Sequence, residues 1–128
     1  MTRFERILPF FTYGWATAIL VVSVMPAEDL PALHIWEPDK VMHAAVYGLL
    51  TWLVWLMLQH RHRNRRPLKN VMYAVALCIA YGFCIEWIQK MLPTRLFDLY
   101  DALANTIGCA LAAVLVLVFS GRDQRAQD

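Results

Sequence analysis

Four runs of this chain carry almost no charge, and each approaches the length of a bilayer crossing, which leaves few folds open. Ile7 to Met25, Val71 to Ile85 and Ala102 to Phe119 contain no charged residue, and Val41 to Leu58 has His43 as its one polar exception of that kind. A helix rises about 1.5 Å per residue, so a hydrocarbon core of about 30 Å needs roughly 20 residues. The third run reaches that length only by continuing through Glu86 to about Leu92. The reading is an all-α, four-transmembrane-helix bundle forming a single domain over residues 1–128, with helices near 7–25, 41–59, 71–92 and 102–119. No segment alternates at period 2, as a membrane barrel would. A soluble bundle is disfavoured too: 59% of the residues are hydrophobic, against about 45–50% for soluble domains, and whole windows lack a polar face. Arg3 and Arg6 before the first run make a signal peptide its rival reading, but the run is longer than an h-region of about 7–15 residues. A retained helix is expected.

An even number of crossings puts both termini on one side. Nine of the twelve Lys and Arg residues belong to that side, including the dense loop from Arg61 to Lys69. The positive-inside bias therefore predicts cytoplasmic termini. The basic loop is short and unpatterned, so it is read as a topological anchor against anionic lipid, and no nucleic-acid partner is expected. Cys78, Cys84 and Cys109 lie in apolar segments without a C-x-x-C spacing and are read as packing residues.

Polar side chains collect near the opposite ends of the later helices. Asp39, His43 and Tyr47 share a face at i, i+4 and i+8; Gly82, Glu86 and Gln89 do so at i, i+4 and i+7, as do Asp101, Asn105 and Gly108. Counting rise per residue puts His43, Glu86 and Asn105 at one depth, about 5–10 Å below the outer interface. Ala104, Gly108 and Ala112 form a small-xxx-small stripe that lets a neighbouring backbone approach. The turn at Pro93 is short enough to make the third and fourth helices antiparallel neighbours, with Arg95 able to fold over Glu86 or Asp98.

Interhelical hydrogen bonding alone is one reading of this layer, each bond contributing about 0.6–2 kcal/mol. The number of ionisable groups argues for more, since Ser, Asn and Gln make such bonds without burying charge. His43 and Glu86 have the residue types of an acid–base pair, with Tyr47 or water as the acting group. His43, Glu86, Asp98 and Asp101 include metal-ligand types, but the layer has one His, no thiolate pair and no H-E-x-x-H spacing. No metal and no other cofactor are expected.

The pattern Asp39-Lys40-x-x-His43-x-x-x-Tyr47, Glu86-x-x-Gln89 and Pro93-x-Arg95-x-x-Asp98-x-x-Asp101-x-x-x-Asn105-x-x-Gly108 resembles the VanZ-like family of small bacterial membrane proteins. The resemblance covers the three later helices, with Ser23-x-x-Pro26 a further similarity in the first. Ala44 departs from it, since many members look to have an aromatic there. The resemblance implies a multi-pass protein of the bacterial inner membrane, related to one that confers low-level resistance to teicoplanin-type glycopeptides. Those drugs bind cell-wall precursors outside the membrane, in keeping with an outward-facing site.

The leading expectation is binding of a cell-envelope lipid or wall-precursor head group. Lys40 and Arg95 suit phosphate, and Glu86, Gln89, Asp101 and Asn105 suit hydroxyls and amides; Asp39, His43, Tyr47 and Asp98 complete the candidate binding set. The alternative is a membrane-embedded hydrolase or transferase using His43 and Glu86 as its acid–base pair. An ion pathway is weaker, because the cytoplasmic halves hold no matching polar relay. Membrane lipids, including a lipid-linked envelope precursor, are the expected partners. Pairing with a second copy or with another envelope protein stays open.

Overall fold

The computed structural model describes residues 3–26, 39–63, 66–93 and 98–125, with the side chains of Asp39 and of residues 121–125 outside the description. It contains four helices, α1 (Arg3–Val24), α2 (Asp39–Arg61), α3 (Pro67–Met91) and α4 (Leu99–Arg125), and among the described residues no strand. All four are long and apolar enough to cross a membrane. Each begins before its apolar run, because hydropathy marks the hydrocarbon-spanning part and misses the turns that continue into the interface. Outward faces carry Phe10, Phe11, Met72, Trp87 and Leu111, all exposed, as expected of surfaces solvated by lipid.

Local chemistry sets the ends that matter for the site. Pro67 takes the first position of α3, where its missing N–H is not needed. At the other end Pro93 bars Leu92 from helical backbone, and Leu92 is extended at φ −91°, ψ 134°. Asp98 caps α4: its Oδ1 accepts the Tyr100 N–H at 2.7 Å, and its carbonyl accepts from the Asp101 and Ala102 backbone.

The most extensive interface joins α2 to α4, through the small residues that the fourth run displays. Ala104, Gly108 and Ala112 are buried, and Gly108 lies so close to the Ala44 carbonyl that a Cβ there would overlap it. Gly48 faces the Gly108 carbonyl in turn, with a Cβ position 3.2 Å away. The approach thus runs between α2 and α4, while α3 also packs on both. Helix α1 packs on α2 and α3 and, among the described residues, not on α4. Three polar side chains tie it there: Trp15 Nε1 donates to the Val46 carbonyl at 3.1 Å, the Tyr81 hydroxyl to the Ala16 carbonyl at 2.6 Å, and Gln89 Nε2 to the Ser23 carbonyl.

The core gathers Ile19, Tyr47, Leu50, Cys78, Ile85 and Cys109. Cys78 and Cys109 pack there as small apolar groups, whereas Cys84 faces outward. At the terminal end of the bundle, Glu5 pairs with Arg63 and with His60 at 3.3 Å. Asn70, fully buried, donates to Gln59 at 2.8 Å.

Candidate functional site

The polar residues of α2, α3 and α4 converge at the end of the bundle away from the termini. His43 Nδ1 lies 3.0 Å from Asn105 Oδ1, and its Nε2 lies 3.6 Å from Asp101 Oδ2. An amide oxygen only accepts, so Nδ1 carries the proton in that bond. Glu86 is 1% exposed, and one of its oxygens accepts the Asp98 N–H at 3.4 Å. Ligand-type atoms of His43, Glu86 and Asp101 all fall within 4.8 Å of one another.

The α4 cap explains how Asp101 comes to face α2. In a capping box the third helical residue reaches back to the N–H of the cap residue. Here Asp101 occupies that third position, yet Glu86 from α3 takes the N–H of Asp98. The Asp101 carboxylate faces His43 and Lys40 instead. Lys40 Nζ lies 3.7 Å from Asp101 Oδ1 and 3.9 Å from Asp98 Oδ2, over the face of Tyr100.

One turn deeper each helix supplies part of a floor. Tyr47 follows His43 by four residues, Asn105 follows Asp101 by four, and Gly82 precedes Glu86 by four. A Cβ on Gly82 would stand 3.1 Å from the Tyr47 ring and 3.4 Å from Asn105 Nδ2, so glycine leaves the space that these two side chains use. Both side chains are 2% exposed, and the Tyr47 hydroxyl and Asn105 Nδ2 have no hydrogen-bond partner. Two buried donors are therefore unspent.

Beside this layer, between α1, α2 and α3, opens a cavity of about 330 Å³. Its walls include Trp15, Ile19, Val22 and Val46, and it ends on His43, Tyr47 and Gln89. Gln89 itself donates to the Ser23 carbonyl at 2.9 Å. A second, apolar cavity of about 430 Å³ continues along the α1–α2 seam toward the termini, and Trp15 borders both.

Of the residues singled out from sequence, Lys40, His43, Tyr47, Glu86, Asp98, Asp101 and Asn105 are brought together, and Gln89 lies at the cavity edge. Asp98 acts on its own helix as a cap besides pairing with Lys40. The Asp39 side chain and Arg95 lie outside the described residues. Sequence reasoning missed α1 as a wall. The signal was present as the face Leu8, Thr12, Trp15, Ile19 and Ser23 at helical spacing, but an apolar stripe in an apolar helix does not stand out.

Comparison with known proteins assigns a family. The VanZ/LLP1 family matches residues 4–120. The chain is 33% identical over 109 residues to the uncharacterized protein C11E3.10 of Schizosaccharomyces pombe, covering 82% of this chain and 64% of that protein. The chain thus spans less than two thirds of that relative's length. No solved structure matches. A match over nearly the whole chain, through all four helices and the polar layer, means that the chain belongs to the VanZ/LLP1 family.

Proposed function

We propose that this protein binds a membrane lipid, holding the polar head group at the His43, Asp101 and Asn105 layer and laying apolar chain along the α1–α2 seam. The observation that carries this reading is the cavity of about 330 Å³, whose apolar walls end on His43, Tyr47 and Gln89. Its size falls in the range of about 300–1,000 Å³ usual for ligand pockets, and its polarity gradient is that of an amphiphile. Lys40 and the unspent donors of Tyr47 and Asn105 offer contacts for phosphate and hydroxyl oxygens. The fission yeast relative favours a head group general to membranes over a bacterial wall precursor. Glycopeptide resistance follows from this binding only where the lipid is such a precursor.

Native mass spectrometry of gently extracted protein tests the proposal. Wild type should carry a lipid that Ala18→Trp, filling the cavity, and His43→Ala both displace. Loss of one charge-assisted hydrogen bond, about 1.5–3 kcal/mol, amounts to roughly 10–100-fold in affinity. Leu111→Ala, on the outward face of α4, should keep the lipid. Equal lipid in all four proteins would sink the idea.

A second reading, hydrolysis or transfer on the same head group, is supported by the placement of His43 between Asp101 and Asn105 with the Glu86 carboxylate alongside. Head-group release measured on the same preparations decides it: turnover should vanish in Glu86→Gln while lipid stays bound.

A further inference from the structure

The three side chains at the head of the layer present acceptors to one another. With Nδ1 donating to Asn105, His43 turns Nε2 toward Asp101 Oδ2, 3.6 Å away, and in the neutral tautomer that nitrogen presents a lone pair. Glu86, buried and holding the Asp98 N–H with one oxygen, brings a third acceptor within 4.8 Å of both. Acceptors converge this way around a proton or a cation. Charge favours the cation. Among the described side chains of the layer, Glu86, Asp98 and Asp101 are acidic and Lys40 alone is basic, a net of −2 with His43 neutral.

We infer that His43, Glu86 and Asp101 form a three-ligand site for a divalent first-row transition ion of the zinc class, with its remaining coordination toward the cavity and the buried donors. One imidazole and two carboxylates are the ligand types such an ion accepts. Tetrahedral bonds of about 2.1 Å separate ligand atoms by about 3.4 Å, so the His43–Asp101 separation is already close to that of a bound ion. Asn105 supplies what a metal-ligating histidine needs, an acceptor on its other ring nitrogen that fixes ring and tautomer.

The second observation is the floor. The Tyr47 hydroxyl and Asn105 Nδ2 are buried donors without partners, converging over Gly82 one turn beneath the ligands. Donors do not ligate a cation, but they hold the oxygen that does. A water or head-group oxygen on the ion would give the Tyr47 hydroxyl a partner, while Asn105 stays on the other ring nitrogen of His43. Three protein ligands with the fourth position open is the arrangement of sites where an ion acts on a bound oxygen, and of sites where it only clamps one. The inference shares the layer with the head-group reading but needs no lipid, and its test is made without one.

Full-length protein without an affinity tag, stripped with chelator in detergent and then dialysed against Zn²⁺, should retain about one equivalent by elemental mass spectrometry. His43→Ala and Asp101→Asn should fall to the buffer level, while His60→Ala, at the opposite end of the bundle, should match wild type. Asn105→Leu should bind roughly 10–100-fold more weakly and still reach one equivalent, as expected of a group that orients a ligand. Circular dichroism and elution volume establish that each variant is folded. Should the ligand variants not fold, wild type decides alone: Co²⁺ should give a visible ligand-field spectrum that Zn²⁺ displaces. Wild type without retained Zn²⁺ or a Co²⁺ spectrum, or a folded Asp101→Asn that binds as wild type does, would overturn the inference. Neither result touches the lipid measurement.

Discussion

A Cβ on Gly108 would fall on the Ala44 carbonyl oxygen, which belongs to backbone and cannot swing aside. Gly48 is milder, with its nearest neighbour at 3.2 Å, and Gly14 has nothing within 4 Å. The three alanine substitutions should therefore rank. Gly108→Ala should destabilise by about 1–3 kcal/mol or more through overpacking. Gly48→Ala should lose less, and Gly14→Ala should be neutral or gain up to about 1 kcal/mol of helix propensity. Reversible unfolding in mixed micelles measures all three. If Gly108→Ala unfolds like wild type, backbone contact between α2 and α4 is not what holds the layer together.

At the scale of elements, α1 stands apart because it is held on α2 and α3 alone, by apolar contact, the pairs of Glu5 with His60 and Arg63, and three side-chain hydrogen bonds, of which Trp15 and Tyr81 make two. Such bonds contribute about 0.6 kcal/mol each in a bilayer, with a maximum near 1.7. Trp15→Phe with Tyr81→Phe should loosen α1 by roughly 1–3 kcal/mol while α2, α3 and α4 remain packed. Hydrogen exchange should then rise in α1 and stay unchanged at Cys78 and Cys109; a uniform rise would show that α1 is no separate unit. The layer itself was legible in the sequence, because His43 with Tyr47, Glu86 with Gln89, and Asp101 with Asn105 are polar residues at helical spacing in apolar surroundings. The exchange of capping partners, with Glu86 on the Asp98 N–H, was not. It depends on how α3 and α4 close on each other, and no spacing within one helix encodes that. Nor could the stripe at Ala104, Gly108 and Ala112 name α2 as its neighbour, since a stripe marks a face and leaves the occupant open.

For the molecule as a whole, four crossings make a multi-pass membrane protein with one polar end layer and a lateral cavity beside it. Charge should orient it, with nine of twelve Lys and Arg residues placing the termini in the cytoplasm. Fusions at the C-terminus should give fluorescent GFP and inactive alkaline phosphatase, and the reverse would turn the layer toward the cytoplasm.

Glu86 serves two masters. It faces His43 and Asp101, and it also receives the backbone N–H of the residue that starts a 27-residue helix. The polar layer and the N-terminal cap of α4 thus share one carboxylate. A ligand in the layer that pulled the carboxylate off the Asp98 N–H would weaken the α4 cap by the same free energy with which the cap resists that ligand.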